Sequence, residues 1–261
     1  MDEAPFRGLD DIGIGLPPLT QRPDYAELVE IVERRAGLTR GAGIVSAAEK
    51  IAADPSPLGR LQTVIAILRT QIFVNAQQTL DAAAAETPAP SCRPGCGDCC
   101  YQFVGVTIPE AILAAFHIAD ADNCRRAAVL ETADAVRGLS PRERVRTGKP
   151  CPFLALGRCS IYEDRPLMCR ALLAYDHGAC RAYTTSFMNG GEETEPRFSL
   201  PLWCLILGDR AAMRGICKDM GLQSDLVELT EAVATILRDP SIVSRWVAGE
   251  ACFSPQTVPA V

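Results

Sequence analysis

Apolar positions along the chain recur almost entirely at helical spacing. Residues 1–23 show no period; they are rich in Gly and Pro and predict a loose tail, anchored at most by Ile12, Ile14 and Leu16. From Asp24 onward, Tyr25, Leu28, Val29 and Val32 share one face of a helix, and Gly37 is a natural stop. A short Ala-rich helix is expected over 46–53. A longer stripe follows, with Leu61, Val64, Ile65, Leu68, Ile72 and Phe73 on one side and Gln and Arg opposite. It predicts a helix over 58–86, ended by Thr87-Pro88-Ala89-Pro90. Thr107-Ile108-Pro109-Glu110 reads as a capping box that opens a helix to about residue 119. Ser140-Pro141-Arg142-Glu143 repeats the same logic, and residues 123–137 between the two read as another helix. Gly190, Gly191 and three acids predict an exposed loop. Residues 203–220 and 224–238 read as helices, the second with Leu226, Leu229, Val233, Ile236 and Leu237 on one side and Pro240 beyond its end. The tail from Phe253 is Pro-rich and expected to fray.

The expected fold is therefore mainly α, a helical protein with an irregular Cys-rich core formed by two loops. Residues 1–23 form a tail, 24–90 an N-terminal helical region and 91–182 a cysteine-cluster domain. A C-terminal helical region (183–252) and a tail (253–261) complete the chain. Of 261 residues, 48% are hydrophobic and 22% charged, which excludes a mostly disordered chain. The net charge of -6 argues against a nucleic-acid partner. The most apolar segment, 61–80, carries Gln62, Arg69, Gln71, Asn75, Gln77 and Gln78, so no membrane span is expected. Pro17, Pro18 and four early acids interrupt any export signal in residues 1–25, so a cytoplasmic location is expected.

Cysteine changes the picture. The chain has 12, too sparse for a disulfide scaffold, and nine lie between Cys92 and Cys180. In a reducing compartment, clustered thiols suggest metal ligation or redox chemistry. The first cluster is Cys92-Arg-Pro-Gly-Cys96-Gly-Asp-Cys99-Cys100. The second runs from Cys151-Pro-Phe-Leu through Cys159-Ser-Ile-Tyr to Arg165-Pro-Leu-Met-Cys169-Arg170. Metal needs several thiolates converging, and the Gly and Pro residues let short loops turn sulfurs inward and aim N–H groups at them. Four thiolates around zinc, or around a doubly charged 4Fe–4S cluster, leave about two negative charges. Arg165 and Arg170 flank Cys169 as cations to compensate them.

The pattern Cys-x3-Cys-x2-Cys-Cys, Cys-Pro-x-Leu, Cys-Ser-Ile-Tyr-x-x-Arg-Pro-x-x-Cys-Arg resembles the YkgJ-like cysteine-cluster family, described as a zinc- or iron-chelating domain. All seven motif cysteines are present: Cys92, Cys96, Cys99, Cys100, Cys151, Cys159 and Cys169. Cys180 sits where such families often carry one more. The resemblance implies a metal centre and no settled reaction. Flagellin lysine-N-methylase looks like a relative sharing this cluster, which makes methyl transfer one implied branch.

Uneven spacing, with four cysteines in nine residues and then three in 19, leans toward an iron–sulfur cluster; zinc is the alternative. Cys124, Cys204, Cys217 and Cys252 each stand alone and read as small core residues. His117 reads as packed or surface. His177 is the better ligand candidate, though a turn histidine without a role is the plainer reading. Arg137, Arg142, Arg144, Arg146 and Lys149 read as a solvated helix face, or as a dock for an acidic protein partner. No Ser-His-Asp set, paired acids or phosphate loop supports independent catalysis.

Overall fold

The computed structural model describes residues 23–85, 88–119, 123–191 and 197–255. The expected tail at 1–22, the acids of the 190s loop, the end of the long helix at 86–87 and the last six residues lie outside them. The helices are α1 (Tyr25–Ala53), α2 (Pro57–Ile67), α3 (Phe73–Ala84), α4 (Ile108–Ala119), α5 (Asn123–Val136) and α6 (Pro141–Arg146), then α7 (Leu167–Ala171), α8 (His177–Met188), α9 (Leu200–Asp219), α10 (Leu229–Arg238) and α11 (Ser241–Val247). Among the described residues, four short strands form two antiparallel pairs: β1 (Gly105–Thr107) with β4 (Leu226–Glu228), and β2 (Leu154–Ala155) with β3 (Arg158–Cys159). The mainly α expectation holds. One hydrophobic core joins residues from both ends and the middle, including Leu28, Val64, Ile112, Trp203, Val233 and Trp246.

Gly37 does not end the first helix, and the separate helix expected over 46–53 is the last part of α1. The reason is tertiary. α1 lies along α9, and glycine serves there for close approach: a Cβ on Gly208 would stand 2.6 Å from Arg35 Cβ and 2.9 Å from the Val32 carbonyl oxygen. The buried Asp209 beside it accepts from Arg35 Nε (2.7 Å) and Nη2 (3.1 Å) and from Thr39 Oγ1 (3.1 Å). Packing plus this network outweighs the helix-stop preference of a lone glycine. The expected long helix is α2 and α3 joined by a π-helical turn over Leu68–Ile72. Ser56 caps it, its Oγ accepting from Gly59 N at 3.0 Å.

Residues 226–228, expected to be helical, are extended. Val227 pairs with Val106 across β1 and β4, and both are buried. The helical stripe starts only at Leu229, where the Glu228 carboxylate accepts from Glu231 N at 2.7 Å and caps α10. Phe253 is not frayed: it is buried, and its N–H donates to Gln223 Oε1 at 3.0 Å. The capping box of α6 is complete, with Ser140 Oγ accepting from Glu143 N and Glu143 Oε2 accepting from Ser140 N. At the box expected before α4, the bonds run to the glutamate and not to the threonine hydroxyl. Glu110 Oε2 accepts from Thr107 N (2.8 Å) and Thr107 Oγ1 (2.7 Å), while its Oε1 accepts from Leu167 N (2.7 Å) at the start of α7. One buried carboxylate thereby ties the helix after the first cysteine loop to the helix that carries Cys169.

Candidate metal centre

The two cysteine loops meet main chain to main chain: Cys151 N donates to the Cys100 carbonyl at 2.6 Å. Each thiol is then placed by local structure. The β2–β3 hairpin turns on Leu156 and Gly157, both at positive φ (51° and 76°), as a two-residue hairpin of this hand requires, and delivers Cys159 on β3. Cys169 rides on α7, anchored by Glu110. The Cys92 thiol donates to the Leu172 carbonyl (3.0 Å) and accepts from Ala174 N (3.4 Å), which fixes the first loop against the end of α7. Cys180 lies in the first turn of α8, whose cap is Asp176, accepting from Gly178 N and Ala179 N. Thr184 Oγ1 donates to the Asp98 carbonyl at 3.1 Å and fastens α8 to the first loop.

The result is a cleft of about 520 Å³ lined by Cys92, Cys96, Cys99, Cys100, Cys151, Cys159 and Cys169. Cys180 lines a smaller cavity next to it, of about 20 Å³, together with Cys92, Cys96, Asp98 and Cys99. Cys99 is the hub. Its thiol is pushed well up by its hydrogen bond with Cys100 and by burial. It in turn raises Cys92, Cys96, Cys159, Cys169 and Cys180, for each of which burial is the larger cause. Cys180 reaches about 12, as does Cys151, which is raised by burial and then by Cys159 and Glu228. Burial and the charge of neighbouring thiols both oppose ionisation here, which is the condition a bound metal relieves.

Arg165 is the cation that faces them. Its guanidinium lowers Cys92, Cys99, Cys159 and Cys169, and it stacks over Tyr162 at 3.9 Å. Its Nε is buried and meets no hydrogen-bond partner among the described residues. A buried orphan donor beside a nest of thiols fits an anionic centre. Arg170 has a different place. It is buried over the Phe73 ring, 4.5 Å away, just past the π-turn, and donates from Nε to the Arg165 carbonyl (3.0 Å) and from Nη2 to the Glu163 carbonyl. It holds the turn that presents Arg165 and makes a weaker electrostatic contact with Cys159 and Cys169.

The remaining cysteines stay apart from the cleft. Cys204 and Cys217 are core residues, Cys124 is exposed, and the Cys252 thiol donates to the Ile242 carbonyl. The basic run is not one solvated face, because Arg144 is buried and its Nη1 donates to the Lys149 carbonyl at 2.6 Å. His117 is at the surface, paired with Asp164 at 2.8 Å. Asp98 was not singled out by sequence; it lies 2.8 Å from His177 Nε2 and 3.7 Å from the Cys96 thiol. The signal available for it was its place inside Cys-Gly-Asp-Cys.

A thiol-lined cleft of this kind defines a metal-binding site of the cysteine-cluster class. Residues 91–205 match the family model described as "CxxCxxCC: Putative zinc- or iron-chelating domain", which covers less than half of the chain. That segment is similar to the cysteine-cluster family, and the match supports metal binding. No curated protein and no solved structure matches the chain. Among the described residues, no helix is long and apolar enough to cross a membrane.

Proposed function

We propose that the cleft holds an iron–sulfur cluster through cysteine thiolates and that the protein serves an accessory, electron-transfer or modifying role. The observation that carries this reading is the hub at Cys99. Seven thiols from both loops line one cleft, and Cys99 lines both it and the adjoining cavity with Cys180, so the thiols do not divide into two separate groups of four as a pair of zinc knuckles would. Cys92, Cys96, Cys99, Cys100, Cys151, Cys159, Cys169 and Cys180 are the candidate ligands, with Arg165 as the neighbouring cation and Arg170 as the residue that positions it. A bound cluster would supply one-electron chemistry, with a potential set by nearby charge and hydrogen bonds. Arg165 would stabilise its negative charge. The half-buried hub and partial exposure of the other thiols would control solvent access.

A structural zinc module is the second reading, favoured by the nitrogen and oxygen donors of His177 and Asp98 beside the thiols. The two separate on protein purified without oxygen. Iron with acid-labile sulfide and broad visible absorbance supports the cluster. Colourless protein with stoichiometric zinc and no sulfide overturns it.

A further inference from the structure

Beside the thiol cleft, three unlike donors converge. The Cys96 Sγ, an Asp98 carboxylate oxygen and a His177 ring nitrogen all lie within 4.8 Å of one another, each half-buried. We propose that Cys96, Asp98 and His177 form a second metal position, which draws Cys96 out of the eight candidate thiolate ligands and takes a single divalent transition-metal ion, with zinc the best match. The donor set carries the choice. One sulfur, one oxygen and one nitrogen suit a borderline-soft ion, and an iron–sulfur cluster is held chiefly by thiolates.

The surroundings are those of a built site. Two elements supply the donors independently, the first cysteine loop giving Cys96 and Asp98 and the first residue of α8 giving His177. The loop is held to α8 by the bond from Thr184 to the Asp98 carbonyl, so the spacing is not left to side-chain chance. Asp98 Oδ2 faces both His177 Nε2 (2.8 Å) and the Cys96 thiol (3.7 Å). Arg181, one turn beyond His177, approaches the other oxygen, Oδ1, at 3.5 Å and orients the carboxylate from behind. A small cavity of about 20 Å³ beside Cys96 and Asp98 is lined also by Cys92, Cys99 and Cys180, and not by His177. Three protein donors leave a tetrahedral ion one further position, for a water.

The alternative is a plain ion pair between His177 and Asp98, which does not need Cys96. The two separate by counting metal. The full-length protein, its thiolate centre filled, is titrated with zinc, and tightly bound zinc is counted after desalting in wild type, Asp98→Asn, His177→Ala and Cys169→Ser. A second position predicts one tightly bound zinc in wild type beyond the content of the thiolate centre. Asp98→Asn and His177→Ala lose that one equivalent and keep the iron and sulfide. Cys169→Ser loses metal from the thiolate centre and keeps the added zinc, so failure of the thiolate reading shows in a different variant from failure of this one. If the thiolate centre itself holds zinc, the same two variants still fall one equivalent below wild type. Equal zinc in wild type, Asp98→Asn and His177→Ala would overturn the proposal. Both residues are part-exposed, and a wild-type far-UV circular dichroism spectrum checks that the variants are folded.

Discussion

Glu110 is the point where fold and site can be perturbed together. Its carboxylate is buried and receives three hydrogen bonds, from Thr107 N, Thr107 Oγ1 and Leu167 N. It also supports the charge of Arg210, a guanidinium that burial has pulled down to about 10. Glu110→Ala would strand two backbone N–H groups, at about 1–3 kcal/mol each, and would leave a buried cation without its neighbour. The expected loss is about 3–5 kcal/mol, a large share of the stability of an ordinary domain. Glu110→Gln is the milder probe. It keeps one acceptor oxygen but turns an NH₂ toward one of the donors, for an expected loss of about 1–3 kcal/mol. Urea unfolding followed by circular dichroism measures this. Because Leu167 N starts the helix that carries Cys169, folded Glu110→Gln should also release metal to a chelator faster than wild type. A variant within about 0.5 kcal/mol of wild type, with unchanged chelator release, would refute both the anchoring role and its link to the site.

Other outcomes follow from single residues. Cys169→Ser should lose metal and melt lower, by about 4 kcal/mol of stability if metal is present at a thousandfold its dissociation constant, whereas Cys252→Ser should keep wild-type metal content. Glu228 is raised by burial from 4.5 to about 7, so the folded state holds a proton that the unfolded chain has lost. Its contribution is full below pH 4.5 and is lost as pH rises through about 7, on the order of 3 kcal/mol; Glu228→Gln should flatten that part of the stability–pH curve measured by urea unfolding. Gly208→Ala should cost about 1–3 kcal/mol by overpacking α1 against α9. Gly37→Ala, with nothing within 4 Å of the new methyl, should stabilise the helix by about 0.5–1 kcal/mol, and thermal melts of the two variants should move in opposite directions.

Local signals read well from the sequence where local chemistry decides. The start of α4, the stripe of α5 and the box at Ser140 are set by periodicity and capping, and those helices stand where the pattern put them. Reading failed where a distant element decides. Gly37 looks like a stop until α9 is laid along α1. Leu226 fits a helical stripe until Val227 is paired with Val106. α7 and α8 were missed because a five-residue helix has no period to show, and because α8 mixes Cys, Thr and Tyr with few strong apolar positions. The candidate site was legible as residue types, since clustered thiols announce themselves. Their division of labour was not: which arginine faces the thiols depends on Arg170 turning away to hold the carbonyls of residues 163 and 165, and the pairing of Asp98 with His177 spans 79 positions that only the fold brings together.

The central claim is that thiols from two loops and α8 converge on one metal centre. X-ray absorption at the metal edge, on protein isolated without oxygen and compared with Cys99→Ser, tests it most directly, because Cys99 lines both the cleft and the cavity that Cys180 lines. A single thiolate centre predicts a first shell dominated by sulfur near ~2.3 Å in wild type, and loss of that shell together with most of the metal in Cys99→Ser. A first shell of nitrogen and oxygen in wild type, or an unchanged spectrum and metal content in Cys99→Ser, would contradict it.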